Sequence, residues 1–241
     1  IWYLVGACKR RSGQNTDAIQ YLEKANMLEP NSIEYSLELG NAHFDLRQFD
    51  QAIKAYLKAS DLDPDNTSAA NNIGISLQEA GLLEEAINAL KHALDMSPDD
   101  PIIKLNLGAA YLKTGCIEEA LKQLESALKF DPRQSETWSN YGVALQEDLR
   151  IEEALTAHRR AIDLAPKNHA FRYNFSMTLL LNGQFKEGFR EFEHRLHMPD
   201  RLPREFEIPL WKGENLCGQT ILVHAEQGIG DAIQFCRFLP L

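Results

Sequence analysis

The sequence predicts an all-α fold, a right-handed superhelical solenoid of about six helix-turn-helix repeats, followed by the first βα unit of a truncated α/β domain. Three observations lead to this prediction. Prolines recur at a fixed interval, small residues recur in the same register, and the composition changes after about residue 199. The prolines are 34 residues apart, at Pro30, Pro64, Pro98, Pro132 and Pro166.

Small residues form three further columns with the same period. These columns are Gly6, Gly40, Gly74, Gly108 and Gly142, then Ala18, Ala52, Ala86, Ala120 and Ala154, then Ala25, Ala59, Ala93, Ala127 and Ala161. Two helices can approach closely only where side chains are small, so the columns predict the crossing point of a helix pair in each repeat. The proline is expected just after the second helix, because it cannot continue that helix.

Three stretches of the sequence identify the repeat type. Asn72-Ile73-Gly74, Glu84-Glu85-Ala86-Ile87 and Asp61-Leu62-Asp63-Pro64 resemble the signature stretches of the tetratricopeptide repeat (TPR) family. The resemblance implies a TPR solenoid over residues 1–200, with repeats at about 1–32, 33–66, 67–100, 101–134, 135–168 and 169–200.

The sixth repeat departs from the pattern. Ser176, Gly188 and Arg195 stand in its small columns, and four phenylalanines, Phe175, Phe185, Phe189 and Phe192, are expected to enlarge its core. It resembles a terminal repeat, which must cap the solenoid or dock on the next part of the chain.

A column of asparagines is the main candidate for a binding function. It consists of Asn72, Asn106, Asn140 and Asn174, while Leu4 and Glu38 stand in the same column in the first two repeats. The family architecture places these residues on the concave face, where amide donors and acceptors can bind an extended peptide backbone. At these four positions the chain resembles the repeat domain of O-linked N-acetylglucosamine transferases. The alternative is that each asparagine hydrogen-bonds within or between repeats and sets the superhelix.

Neighbouring groove positions complete the predicted peptide-binding set, which adds Asn41, Asn71, Gln78, Leu105, Gln146 and Tyr173. A second use of the fold clamps the terminal carboxylate of a partner with cations inside the groove. The corresponding positions here are Tyr3, Leu37, Asn71 and Leu105, which argues against that use.

Composition limits the partners. The formal net charge of -10 argues against nucleic acid as the main partner, and no apolar run is long enough to span a membrane. We therefore expect a protein or peptide partner; the sequence does not indicate an oligomeric state.

Four dispersed cysteines favour a cytoplasmic location. His194 and His197 form an HxxH pair without a third ligand at suitable spacing, so no metal site is predicted.

The end of the sequence changes character. We predict a linker over residues 201–218 and the start of an α/β domain over 219–241, where an apolar strand leads into a turn with Gly228, Gly230 and Asp231. This turn is a possible anion-binding site at a helix N-terminus. The alternative is a tight turn in which Asp231 caps the helix.

The string from Pro209-Leu210-Trp211 to Leu239-Pro240 carries a second resemblance. It is similar to the junction in bacterial TPR proteins whose repeats precede a glycosyltransferase-like domain of the GT-B type, which has Rossmann-like lobes. The resemblance implies that the solenoid recruits a protein acceptor for a longer transferase that uses a sugar nucleotide. No catalytic residue and no cofactor are expected within these residues themselves. The alternative is a stand-alone TPR adaptor or assembly scaffold.

Overall fold

The structure is a computed structural model that describes residues 1–198 and residue 218. Within residues 1–198 it contains twelve α-helices and a final 3-10 helix, Glu193–His197. The α-helices are α1 (Trp2–Arg11), α2 (Asn15–Leu28), α3 (Ile33–Asp45), α4 (Phe49–Leu62), α5 (Thr67–Glu79), α6 (Leu83–Met96), α7 (Pro101–Thr114), α8 (Ile117–Phe130), α9 (Ser135–Glu147), α10 (Ile151–Leu164), α11 (His169–Leu181) and α12 (Phe185–Phe192). The predicted all-α repeat solenoid is confirmed for this part of the chain. The predicted linker, apart from Gly218, and the predicted βα unit with Gly228, Gly230 and Asp231 lie outside the described residues.

The helices are arranged as six successive pairs. Each odd-numbered helix packs against the even-numbered helix that follows it, and each even-numbered helix also packs against the first helix of the next repeat. Odd-numbered helices contact one another as well, α1 with α3, α5 with α7, α7 with α9, and α9 with α11. We call the side on which the odd-numbered helices α1, α3, α5, α7, α9 and α11 lie next to one another the inner face.

Short polar segments end one repeat and begin the next. The column prolines lie two residues after the ends of the even-numbered helices, as predicted. Two residues further on, an N-cap side chain accepts a backbone N–H in most repeats. These N-caps are Ser32, Asn66, Asp100 and Asn168. A cap of this kind stabilises a helix by about 1 kcal/mol.

The glycine column is required by a large neighbour. A Cβ placed on Gly108 would lie 2.6 Å from Cγ of Leu124, and one on Gly142 would lie 2.6 Å from Cε1 of His158. The closest residue is thus the one 16 positions later, which is Leu22, Tyr56, Leu90, Leu124 or His158 in the first five repeats. Both alanine columns are buried. The atoms nearest to each column glycine nevertheless belong to a bulky side chain rather than to an alanine side chain.

A second glycine column lies in the turn between the two helices of each repeat. All six turn residues have positive φ angles; they are Gly13, Arg47, Gly81, Gly115, Leu149 and Gly183. Left-handed backbone costs a residue with a Cβ roughly 1–2 kcal/mol, whereas glycine adopts it freely. The second and fifth repeats therefore carry local strain at Arg47 and Leu149.

His158 is the polar member of the bulky column. Its side chain is fully buried, and neither ring nitrogen has a hydrogen-bond partner among the described residues. Its ring lies against Phe175, with 6.5 Å between ring centroids. Burial lowers the pKa of His158 from 6.5 to about 4, because the charged imidazolium is poorly solvated there.

The core of the sixth repeat contains fewer phenylalanines than predicted. Phe175 is buried, but Phe185 and Phe189 are 59% and 60% exposed. These two residues are one helical turn apart in the eight-residue helix α12, so they share one face, and that face is turned outward. The prediction that all four phenylalanines enlarge the core is wrong for this pair.

Replacing Leu149 with glycine should stabilise the protein by about 1 kcal/mol, because it relieves left-handed strain at a residue that is 76% exposed and packs little. Thermal and urea unfolding would measure the change. Gly115→Ala is the matched control and should destabilise by about 1 kcal/mol, since a Cβ there has open space but an unfavourable φ. A loss of stability in Leu149→Gly would contradict this account.

Acidification should destabilise the protein through His158. The unfolded chain binds a proton near pH 6.5, while the folded chain resists until about pH 4, so stability is lost as the pH falls through this window. Between pH 7 and pH 5 the loss from this residue is about 2 kcal/mol. His158→Leu, which copies Leu124 of the preceding repeat, should lack this part of the pH dependence. If the original protein and His158→Leu showed the same pH dependence of unfolding, His158 would not be the cause of the acid destabilisation.

Candidate peptide-binding surface

The asparagine column divides into two kinds of residue. The side-chain amide of Asn106 donates to Oδ1 of Asn71 at 2.8 Å, and that of Asn174 donates to Oγ of Ser139 at 3.1 Å. Both bonds connect an odd-numbered helix to its counterpart in the preceding repeat, 35 residues earlier. Asn106 and Asn174 therefore help to hold adjacent repeats together, as the structural alternative proposed.

Asn72 and Asn140 have different surroundings. The residues 35 positions before them are Leu37 and Leu105, whose side chains cannot accept a hydrogen bond. Neither asparagine makes a side-chain hydrogen bond within residues 1–198, and both are half-buried on the inner face. Their amide groups are thus available to a peptide backbone.

The first two repeats use charge where the later ones use amides. Glu38 occupies the asparagine column in α3, and Nε of Arg10 in α1 donates to it at 2.8 Å. Arg10 also reaches Asp45 at 3.3 Å. The hydrogen bond to Glu38 raises the pKa of Arg10. The same role between repeats is filled by an ion pair, which the asparagine pattern alone could not indicate.

The remaining predicted groove residues have varied contacts. Oδ1 of Asn41 accepts from the Tyr56 hydroxyl at 2.7 Å, and Oε1 of Gln146 accepts from Thr178 Oγ1 at 2.6 Å. Gln78 is half-buried and makes no side-chain hydrogen bond in the described part of the chain.

Two further predicted residues take part in packing. Leu105 is only 5% exposed and belongs to a core cluster with Leu107 and Tyr111. The ring of Tyr173 packs beside Phe192, with ring centroids 5.6 Å apart. The sequence placed Leu105 in the groove because it shares a column with Asn71, but this repeat buries that position.

A histidine cluster lies at the end of the solenoid. Nδ1 of His169 and Nδ1 of His194 are 2.8 Å apart, so one nitrogen donates and the other accepts. The ring of His197 lies beside that of His169, with 4.7 Å between centroids and an angle of 39° between the planes. Desolvation and the nearby Arg172 lower the pKa of His194. Within residues 1–198 no group of three or more His, Cys, Asp and Glu side chains is placed to hold a metal ion.

Acidic pairs lie at the beginning of three even-numbered helices. Glu84 and Glu85, and likewise Glu152 and Glu153, are in the first turn of their helices, where their negative charge interacts favourably with the positive end of the helix dipole.

Among the described helices none has both the length and the apolar character that crossing a bilayer requires.

Comparison with known proteins agrees with the helical pairs. Models of the tetratricopeptide repeat match residues 1–32, 37–101 and 77–140. Over 64 residues the chain is 34% identical to protein FlbA of Caulobacter vibrioides, a match that covers 26% of this chain and 11% of FlbA. The chain thus spans about a tenth of that relative's length.

Solved structures share the fold at low sequence identity. A chain from the APC/C hetero-tetramer Cut9–Hcn1 matches with a TM-score of 0.76 and 18% identity, over 83% of this chain and 40% of that one. YrrB, a TPR protein with an unusual peptide-binding site, matches with a TM-score of 0.54 and 19% identity, over 74% of this chain and 93% of its own.

The two kinds of asparagine should differ in their effect on stability. Asn106→Ala breaks a hydrogen bond between repeats and should cost about 1 kcal/mol relative to Asn140→Ala, which breaks none. Both variants make the same change at the same place in the repeat, so their helix propensities cancel. Chemical unfolding of both proteins would measure the difference. Equal stabilities would mean that the bond from Asn106 to Asn71 contributes nothing.

Proposed function

This chain belongs to the tetratricopeptide-repeat proteins, and from that premise we propose that its inner face binds an extended segment of a partner protein. The observation that carries the proposal is the pair of unbonded amides at Asn72 and Asn140, two repeats apart on the inner face. Each amide can donate to a backbone carbonyl and accept from a backbone N–H, so the contact needs no particular side chain. Gln78 supplies a third amide of the same kind.

Charge and fold both support a polypeptide partner. The net charge of -10 favours a neutral or basic segment over nucleic acid. YrrB, which shares the fold, has a peptide-binding site, and a related use of the repeats is expected here. A cytoplasmic location stays a prediction from the dispersed cysteines.

A finer proposal concerns the protein as a whole. The resemblance of residues 209–240 to the junction before GT-B domains supports a role in which the solenoid recruits the acceptor of a sugar-nucleotide-dependent transferase. The test is transfer of a labelled sugar, by the full gene product, to a peptide that the solenoid binds. Binding without transfer from any common sugar nucleotide would favour an adaptor or assembly scaffold instead.

The groove itself can be tested with peptides. A library of extended peptides is selected on the chain, and the affinity of the best binder is measured by fluorescence anisotropy. The double variant Asn72→Ala, Asn140→Ala should weaken binding by about tenfold or more, because two backbone hydrogen bonds are lost. Its stability should not fall, since neither side chain hydrogen-bonds within residues 1–198 and alanine is the better helix former.

Asn88→Ala is the matched control, because Asn88 is exposed on the even-numbered helix α6, away from the inner face. It should leave the affinity unaltered. An unchanged affinity in the double variant, or the same loss in Asn88→Ala, would rule out peptide contact at these asparagines.

A further inference from the structure

The fifth repeat contains a cleft that is separate from the inner face. It has a volume of about 320 Å³ and lies between α9 and α10. Trp138, Tyr141 and Leu145 line it from α9, and Glu152 and Glu153 line it from the first turn of α10. Residues 138, 141 and 145 follow one another at helical spacing, so they share a face of α9 from which Asn140 points away.

The two aromatic rings form two walls of the cleft. The rings of Trp138 and Tyr141 are 6.3 Å apart between centroids and inclined at 71°. The indole N–H of Trp138 donates to the carbonyl of Pro132 at 2.9 Å, which holds this ring in place. Below them Leu145 is buried in the core. The cleft therefore offers fixed aromatic surfaces, and the indole donor is already used.

The mouth of the cleft is negatively charged. Arg150 forms a double hydrogen bond with Glu153, at 2.8 and 2.7 Å, which offsets that carboxylate. Within residues 1–198 the carboxylate of Glu152 accepts only from the neutral amide of Asn182, at 3.1 Å, so no cation there offsets its charge. Burial raises the pKa of Tyr141, as do the charges of Glu125 and Glu153, while the charge of Arg150 and its hydrogen bond with Tyr141 lower it.

Two other aromatic rings in this protein already have a cation beside them. Lys24 lies 5.1 Å from the ring centroid of Trp2, and Lys91 lies 5.8 Å from that of Tyr111. Trp2 occupies in the first repeat the position that Trp138 occupies in the fifth. Among the described residues, no lysine or arginine lies over the ring of Trp138 or Tyr141.

We propose that this aromatic cleft binds the cationic side chain of a lysine or arginine from a protein partner. The cation lies against the rings of Trp138 and Tyr141, whose faces attract positive charge, and Glu152 neutralises it. The stem of the side chain packs on the apolar wall. The cleft thus adds a preference for a basic residue that the amides of the inner face cannot provide.

The test uses the chain with 15N-labelled indole groups and three small probes, the N-acetyl amides of lysine, arginine and norleucine. The lysine and arginine probes should shift the indole signal of Trp138, which is assigned with Trp138→Phe, and should saturate at about millimolar concentration. Norleucine has a similar stem without charge and should not. Trp2 is the internal control, because Lys24 already covers its ring.

Two variants separate the roles of the ring and the charge. Tyr141→Ile copies Ile73, the equivalent residue of the third repeat, so it suits the fold and should remove detectable binding. Glu152→Gln should weaken binding about threefold, with a smaller dependence on salt. The proposal is overturned if the cationic probes cause no shift, if norleucine shifts Trp138 equally, or if binding survives in Tyr141→Ile.

Discussion

The contact between a glycine and a bulky side chain is the constraint on which this solenoid depends. In each of the first five repeats the odd-numbered helix places a glycine, such as Gly108, against a large residue, such as Leu124. A single methyl group at the glycine would overlap that side chain, so the helix pair can close only without it. Because each pair closes in the same way, successive pairs can stack on one another and bring odd-numbered helices together on the inner face.

The bonds between repeats explain why the asparagines of one column have different surroundings. An asparagine bonds to the preceding repeat where that repeat offers a polar partner, as Asn71 does for Asn106. Where the partner position holds leucine, as with Asn140 and Leu105, the asparagine side chain makes no hydrogen bond within residues 1–198. The residue 35 positions earlier therefore decides whether an asparagine of this column bonds between repeats.

Departures from the repeat pattern give individual repeats properties of their own. His158 introduces a titratable group where other repeats have leucine or tyrosine, and this couples stability to pH. Trp138 and Tyr141 stand where the third repeat has Ala70 and Ile73, and they create an aromatic cleft beside Glu152. A regular solenoid would present the same surface in every repeat, so we expect specific recognition where the pattern changes.

The sequence by itself determined the repeat period, the helical pairs and the positions of prolines and small residues, because a fixed 34-residue period leaves a direct trace in residue size. It also contained the glycine column of the turns at Gly13, Gly81, Gly115 and Gly183, a signal readable as a requirement for positive φ. Only the tertiary structure decided which amides lack a hydrogen-bond partner within residues 1–198, that Leu105 is buried, and that Phe185 and Phe189 face outward. Those outcomes depend on neighbours in other repeats, and a side chain's environment across a helix interface is not encoded in its own column.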